Sequence, residues 1–378
     1  MFLTATNLIH YLCDVGLAST DDVTHECFTV SEIGRRNRNF RVARECGRSL
    51  FVKQVPAILA ETTLSFMREA ACAQLAAESD EVPALRAVMP RLLRYDPERH
   101  VLAYEAIDDA QSLAEHVARN GLADEVFDAL AATLAAIHTQ TRGEEQLASM
   151  HHAFAGEAPW ICTIGEKAEL VMPNMSGGCR EIVRYMRATP ELLHGLLQLG
   201  AQWRTPCLAH GDMKWDNVMI ATLADGTKSV RLIDWELANR GDPLWDVCGI
   251  LCAFFQYWLL QPAADLAAVG SPLFVGMRRS ALRFWQRYAQ AASDASAALP
   301  LHLGHLFGAR LALLAFELLA NATQMSPLAQ KALECARYCF ADPRRALDDL
   351  LGIEASTAYA ARATSATPWR IEVPRIAA

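Results

Sequence analysis

Apolar and polar residues alternate along the first third of the chain in a way that predicts a strand-rich segment. The alternation runs through Phe28 to Ile33, Asn39 to Ala43 and Leu50 to Val55. A period of two residues is typical of strands that bury one face. Arg91 to Tyr95 and Val101 to Ile107 indicate two further strands. We therefore expect a small sheet in this part of the protein.

Most of the remaining chain shows the period of an α-helix. Apolar residues recur at helical spacing within residues 4–17 and 61–78. Residues 181–199 and most of 243–351 are predicted to be helical as well. A short strand section interrupts the helical part near residues 205–235. The pattern thus predicts a small unit of strands with one helix, followed by a larger helical unit.

Composition and charge exclude two classes of protein. Hydrophobic residues make up 52% and charged residues 21% of the 378 residues, which excludes a mostly disordered chain. The net charge of −8 comes with no long basic run, so we expect no binding to nucleic-acid phosphates. One local basic patch contains Arg35, Arg36, Arg38 and Arg41. A solvated hairpin explains it better than phosphate contacts, although both remain open.

The cysteines and the apolar runs bear on the compartment. The chain has 11 cysteines and no C-x-x-C pair; the closest pairs, Cys248/Cys252 and Cys335/Cys339, have helical spacing. Free, buried thiols in a reducing compartment are the simplest interpretation. The strongest apolar run, Val247 to Leu260, is too short to cross a bilayer. We therefore expect a cytoplasmic protein without a membrane segment.

Three polar segments carry the candidate chemistry. Within His210 to Ile220, Asp212 is followed five residues later by Asn217, in a loop between two strand-like runs. Asp234 ends an apolar strand, and Gly241-Asp242-Pro243 opens a helix. Phosphoryl transfer needs a carboxylate that takes the proton of the acceptor hydroxyl, and hard oxygen ligands that hold magnesium. Asp and Asn oxygens meet both needs.

Taken together, these segments resemble the aminoglycoside phosphotransferase and choline kinase group of the protein-kinase-like fold. The resemblance covers roughly residues 27–325. It implies an α+β fold with two lobes, a small antiparallel-sheet N-lobe and a larger, mainly helical C-lobe. It is carried by His210-Gly211-Asp212 with Asn217, Ile233-Asp234-Trp235-Glu236, Gly241-Asp242-Pro243 with Asp246, and Leu134 to His138.

Domain bounds follow from the same resemblance. Residues 1–26 are expected to form an N-terminal helical extension, and residues 27–107 the nucleotide-binding N-lobe. Residues 108–354 would form the catalytic and substrate-binding C-lobe. The polar tail, residues 355–378, is expected to be poorly ordered.

The resemblance assigns the catalytic and metal-binding roles to four residues. Asp212 would be the base, and Lys214 would stabilise charge on the transferred phosphoryl group. Lys214 departs from aminoglycoside phosphotransferases, which often carry His there, and agrees with serine/threonine protein kinases. Asn217 and Asp234 would bind Mg²⁺. The alternatives are a structural loop around Asp212 and a strand-end cap at Asp234.

The resemblance also assigns residues to ATP. Lys53 would contact the α- and β-phosphates, with Glu69 paired to it. A surface lysine and a solvated glutamate remain the alternatives for these two. The loop from Gly34 to Asn39, which has only one glycine, would cover the phosphates. The segment from Tyr104 to Ile107, including Glu105 and Ile107, would lie against the adenine.

The acceptor is predicted from what the helical part lacks. Residues 251–321 contain only three acidic residues, Asp265, Asp294 and Glu317, which argues against a polycationic aminoglycoside. The many aromatic residues there are better explained by core packing. We therefore expect an ATP- and Mg²⁺-dependent phosphotransferase acting on a hydroxyl of a small molecule or peptide. A nucleotide-binding pseudokinase scaffold, an aminoglycoside O-phosphotransferase and a purely structural interaction protein are the alternatives.

Overall fold

The structure is a computed structural model. The residues it describes are 2–25, 28–33, 38–45, 47–55, 60–142, 153–165, 172, 175–222, 228–261, 270–292 and 299–354. Gly34, predicted to lie over the phosphates, and the tail predicted for residues 355–378 fall outside these ranges. The expectation of disorder in that tail stays a prediction.

Five antiparallel strands form the main sheet in the order β1-β2-β3-β5-β4. Alternate residues of each strand face opposite sides, so that Val42, Leu50 and Val52 lie on one face while Arg41 and Lys53 lie on the other. The strands are β1 (Phe28–Ile33), β2 (Arg38–Arg44), β3 (Leu50–Gln54), β4 (Leu92–Asp96) and β5 (Val101–Glu105).

An N-terminal segment covers the apolar face of this sheet. Helix α1 (Leu8–Asp14) and helix α2 (Thr20–His25) precede β1. Leu8, Tyr11 and Leu12 of α1 are buried in one cluster with apolar residues of β2, β3 and β5. The segment is also tied to β3 by a hydrogen bond of 2.7 Å from the amide of Leu3 to Oε1 of Gln54.

The same contact unit contains a long helix and two small sheets. This unit comprises Met1–Arg119, Ile137–Gly156 and Pro206–Arg240. One small sheet has the order β6-β8-β9 and the other pairs β7 with β10. The elements are α3 (Ala60–Glu78), α4 (Pro83–Val88), β6 (Ala110–Ser112), α5 (Leu113–Asn120), β7 (Cys207–Ala209), β8 (Val218–Thr222), β9 (Lys228–Leu232) and β10 (Asn239–Gly241).

The second contact unit is helical in its described part. It comprises Asn120–Ala136, Glu157–Thr205 and Gly241–Ala378, and the helix α6 (Asp124–Gln140) begins in it. The further helices are α7 (Gly177–Arg187), α8 (Pro190–Ala201), α9 (Pro243–Leu259), α10 (Pro272–Ala292), α11 (Leu299–Leu318), α12 (Pro327–Ala341) and α13 (Pro343–Leu351). Most of its aromatic residues are core residues, as predicted: Phe254, Phe255, Trp258, Phe274, Phe284 and Tyr288 are buried.

The predicted fold class is confirmed, with an antiparallel sheet in the N-terminal part and a mainly helical C-terminal part. The helix expected over residues 4–17 is shorter and spans only Leu8–Asp14. The helical stretch expected over 181–199 is present as two helices that separate before Pro190. Pro83 begins α4, a short helix that the sequence pattern does not predict, and a proline at the first helical position loses no backbone hydrogen bond. The lobe bounds stay a prediction.

Helix α11 contains the most membrane-like stretch of the described residues. The stretch Leu301–Leu318 of α11 is long and apolar enough to cross a membrane, but 67% of it is buried inside the protein, as in the core helix of a soluble protein. It is therefore weak evidence for a membrane span. All nine cysteines in the described part are free, and eight of them are buried, as the sequence predicts.

Candidate active site

A cavity of about 530 Å³ lies on the charged face of the main sheet, within the first contact unit. Its volume falls in the range of small-molecule sites. Strands β2, β3 and β5 supply one wall, and the segment before β8, β8 itself and the segment after β9 supply another. Its lining includes nine of the ten residues that the sequence nominated: Asn39, Lys53, Glu69, Glu105, Ile107, Asp212, Lys214, Asn217 and Asp234.

The ammonium group of Lys53 lies among three carboxylates. Its Nζ is 2.6 Å from Oε2 of Glu69, 2.7 Å from Oδ1 of Asp234 and 3.0 Å from Oε2 of Glu236. Lys53 and Glu69 are almost completely buried, whereas the Asp234 side chain is 37% exposed. The predicted pair of Lys53 and Glu69 is therefore present, and it extends into a larger charged cluster.

Burial and mutual attraction set the pKa values in this cluster. Burial alone lowers the pKa of Lys53, but the carboxylates of Glu69, Asp234 and Glu236 raise it further, so that the net shift is upward. Burial raises the pKa of Glu69 and Lys53 lowers it, and with the repulsion of Asp234 and Glu236 the net shift is upward. Burial also raises the pKa of Asp234, yet attraction to Lys53 and a hydrogen bond from it bring the net pKa below its ordinary value.

The charges of this cluster do not balance, since three carboxylates face one ammonium group. Ligand oxygens of Glu69, Asp234 and Glu236 lie within 4.8 Å of one another. Hard cations such as Mg²⁺ prefer carboxylate and amide oxygens, and the side chain of Asn217 lines the same cavity. The donor set and its excess of negative charge therefore fit a divalent cation.

Tyr104 of β5 contacts the remaining oxygen of Glu69. Its hydroxyl donates to Oε1 of Glu69 over 3.3 Å, while Oε2 binds Lys53. Burial, with the nearby Glu69 carboxylate, raises the pKa of Tyr104 well above its ordinary value. Both oxygens of the buried Glu69 are thus satisfied, which reduces the penalty of burying a charge.

The loop that carries Asp212 lies between β7 and β8. Nζ of Lys214 is 2.6 Å from Oδ2 of Asp212. The amide nitrogen of Asn217 donates to the backbone oxygen of Asp212 over 2.8 Å and to its Oδ2 over 3.2 Å. The two contacts to Oδ2 orient the Asp212 carboxylate, and none of the three contacts uses the side-chain oxygen of Asn217.

His210 contacts the backbone at two points near the loop that carries Asp212. Its Nε2 lies 2.9 Å from the backbone oxygen of Ile233, and its Nδ1 lies 3.3 Å from the amide nitrogen of Asp212. The carbonyl can only accept and the amide can only donate, so the neutral ring with its hydrogen on Nε2 satisfies both contacts. His210 therefore acts as a structural link between the two predicted motifs.

Two backbone conformations also define the site. Gly211 has φ of +83°, and a Cβ there would lie 2.3 Å from the backbone oxygen of Leu237, so only glycine fits. Asp234 is itself in the left-handed region, with φ of 65° and ψ of 58°. Such strained residues concentrate at functional sites. The turn that follows Asp234 brings Glu236 back to Lys53.

The sequence interpretation missed some members of the site. Glu236 was quoted within a motif but received no role, although its position two residues after Asp234 is a usable signal. Arg41, read as solvated, lines the cavity. The side-chain oxygen of Asn39 is buried in the cavity wall and has no hydrogen-bond partner among the described residues. Gly34 lies outside the described part of the chain.

The family follows from comparison with known proteins. The family model of the phosphotransferase enzyme family APH matches residues 29–283, which is well over half of the chain. The chain therefore belongs to this family, as its motifs predicted. No curated protein sequence matches it.

Solved structures with the same fold include kinases of several small molecules. Choline kinase LicA from Streptococcus pneumoniae is 13% identical with a TM-score of 0.52, over 89% of this chain and 99% of that one. Ethanolamine kinase from Plasmodium vivax is 11% identical with a TM-score of 0.54, over 88% and 86%. A mutant aminoglycoside 2'-phosphotransferase in complex with GDP is 14% identical with a TM-score of 0.54, over 90% and 98%. These likenesses show a protein-kinase-like fold.

Proposed function

We propose that the protein transfers the γ-phosphoryl group of ATP to a hydroxyl of a small molecule or peptide, in the presence of Mg²⁺. The observation that carries the proposal is that one cavity is lined by Lys53, Glu69, Asp212, Asn217 and Asp234. These side chains supply a cation for the phosphates, oxygen ligands for a metal and a carboxylate base, which are the parts that phosphoryl transfer needs.

In the proposed reaction Asp212 takes the proton of the acceptor hydroxyl as its oxygen attacks the γ-phosphorus. The bond from that phosphorus to the bridging oxygen breaks, and ADP leaves with the bond's electron pair. Lys214, 2.6 Å from Asp212, is placed to stabilise charge on the transferred group. Lys53 binds the α- and β-phosphates, which replace Asp234 and Glu236 as partners of its ammonium group.

Asp234 and Asn217 would hold the metal, which neutralises phosphate charge when bound. Asn39 and Gly34 belong to the segment proposed to cover the phosphates, and the position of Asn39 in the cavity lining, opposite Lys53 on the neighbouring strand, supports this for Asn39. Glu105 and Ile107 are proposed to contact the adenine through the chain that follows β5. Their position in the cavity lining supports that placement.

The acceptor is proposed to be an alcohol. Two structural neighbours are kinases of choline and of ethanolamine, and both of these compounds carry one hydroxyl. The aromatic residues of the helical unit do not point to an aromatic acceptor site, because most of them are buried in its core.

Thermal shift with ATP or GTP, with and without Mg²⁺, tests the nucleotide site first. A rise in melting temperature that requires Mg²⁺ and is lost in Asp234→Ala is the expected result. No shift with either nucleotide would contradict the proposal.

Release of ADP with a panel of alcohols and hydroxyl-bearing peptides then tests the transfer. Asp212→Asn should abolish turnover and keep nucleotide binding. Asp216→Asn is the matched control, since Asp216 is an exposed carboxylate of the same loop. Nucleotide binding without transfer to any acceptor would favour the pseudokinase alternative, and turnover retained by Asp212→Asn would refute the role of Asp212.

A further inference from the structure

Three residues form a row across the charged face of the sheet. Arg41 on β2 is the cross-strand neighbour of Phe51 on β3, and Phe51 is the neighbour of Tyr104 on β5. All three line the cavity. Lys53 and its neighbour Asn39 form the next row on the same face. This cavity wall therefore has two parallel rows. One consists of three flat side chains, and the other contains Lys53, which is proposed to bind the phosphates.

The position of the first row along the cavity matters for what it would contact. Tyr104 is followed directly by Glu105, Ala106 and Ile107, which all line the cavity and are proposed to contact the adenine. The row therefore lies at the end of the cavity where the base would bind, two residues along β3 from Lys53.

The guanidinium group of Arg41 is held at this end by an ion pair. Its Nη2 lies 2.8 Å from Oδ1 of Asp108, the residue after Ile107. The side chains are 42% and 55% exposed, and ion pairs with such exposure contribute little to folding stability. The pair places the guanidinium group beside the residue that follows Ile107, on the cavity side of the sheet.

A guanidinium that bonds a carboxylate uses its edge, so its two faces remain open. Flat rings stack well on such faces, through cation–π attraction and through dispersion. The side chain of Phe51 lies beside Arg41 in the cavity wall and adds apolar area.

We propose that Arg41, oriented by Asp108, stacks on the base of the bound nucleotide and is a base-binding residue of this protein. The inference rests on the proposed function, because it needs a nucleotide in the cavity. The sequence left two interpretations of Arg41 open, a solvated hairpin position and a phosphate contact. The proposed base contact differs from both.

Isothermal titration with Mg-ATP and with Mg-tripolyphosphate separates base binding from phosphate binding. Arg41→Ala should weaken ATP binding about three- to tenfold, with tripolyphosphate binding unchanged. Arg41→Lys should show the same loss, because lysine keeps the charge but lacks the plane. Asp108→Ala should give a smaller loss for ATP alone.

Arg44→Ala is the matched control. Arg44 lies on the same strand β2 and is also paired with a carboxylate, 3.3 Å from Asp22, but neither residue lines the cavity. The variant should bind both ligands like the wild type, which shows that loss of one positive charge near the cavity is not the cause.

Two results would overturn the inference while leaving the proposed function intact. Equal weakening of ATP and tripolyphosphate in Arg41→Ala would make Arg41 a phosphate contact. Unchanged ATP binding in that variant would leave it no role in binding. A wild type that binds neither ligand would instead refute the proposed function, and the inference with it.

Discussion

The two faces of the five-stranded sheet are made from alternate residues of the same strands, yet they hold opposite kinds of side chain. On β3, Leu50 and Val52 belong to the apolar cluster beneath helix α1. Phe51 and Lys53, their immediate neighbours in the chain, line the cavity. One face is covered by the N-terminal segment, and the other carries a buried cluster of charges.

The two faces contribute differently to the stability of the sheet. A charged cluster such as the one around Lys53 adds little net stability, because removing its groups from water offsets their attraction. The apolar face has no such penalty, since its residues simply leave water. We therefore expect substitutions on the apolar face to change stability alone, and substitutions on the charged face to change nucleotide binding as well.

Lys53→Met is expected to have the largest effect. Loss of the ammonium group should lower kcat/KM by about 10²- to 10³-fold, because a preorganised charge opposite the phosphates is removed. It should also lower the free energy of unfolding by about 3–5 kcal/mol, since the buried Glu69 loses its partner. Steady-state kinetics and urea denaturation measure the two losses.

The double variant Lys53→Met/Glu69→Gln separates the two losses. Glutamine keeps the shape of Glu69 without its charge, so stability should recover while nucleotide binding stays weak. Recovery of both would mean that Lys53 serves folding only, and the division between the two faces would then fail.

Leu12→Ala tests the apolar face in the same way. Leu12 is completely buried, and loss of such a side chain lowers the free energy of unfolding by about 3 kcal/mol. The dissociation constant for Mg-ATP should stay unchanged below the melting temperature. His10→Ala, at an exposed position of the same helix, is the control and should change neither quantity. Weakened ATP binding in Leu12→Ala would contradict the expectation that the apolar face affects stability alone.

Much of this sheet was predictable because its pattern is local. The bounds of β1 agree with the predicted Phe28 to Ile33, and the limits of β2 and β3 differ from the prediction by at most one residue. Alternation specifies both the strand and its buried face. The short helix α4 was missed because a single turn and a half between Pro83 and Pro90 gives too few residues for a helical period to show.

The site was predictable where its chemistry lies in a motif, as for Asp212, Asn217 and Asp234. The position of Glu236 depends instead on the left-handed backbone of Asp234. The roles of Arg41 and Tyr104 depend on the register of β2 and β5 against β3. Backbone conformation and strand register join distant parts of the chain, and the local pattern of residue types does not contain them.

Tyr104→Phe sharpens the comparison with a smaller change on the charged face. It removes only the hydroxyl that donates to Glu69, which should lower the free energy of unfolding by about 1 kcal/mol. Glu69 should also accept a proton more readily, so ATP binding should weaken more at pH 5 than at pH 8. Tyr95→Phe, at a partly buried position of β4, is the control. An equal effect of both variants would mean that the hydroxyl of Tyr104 does not influence ATP binding through Glu69.

Asp96→Asn is expected to have the smallest effect, and its difference in stability from the wild type should disappear in acid. Burial raises the pKa of Asp96, but hydrogen bonds from the backbone and side chain of Arg99 and from the hydroxyl of Tyr11 lower it further, to a net value below 3.8. A carboxyl group with a lowered pKa in the folded state stabilises the protein above about pH 3.8, and this contribution is lost as the pH falls through the lower folded-state value. The wild type should therefore lose more stability between pH 5 and pH 2 than Asp96→Asn, as measured by urea denaturation across that range. Tyr11 belongs to the N-terminal segment, so equal acid sensitivity of the two proteins would mean that this contact does not help to hold the segment on the apolar face.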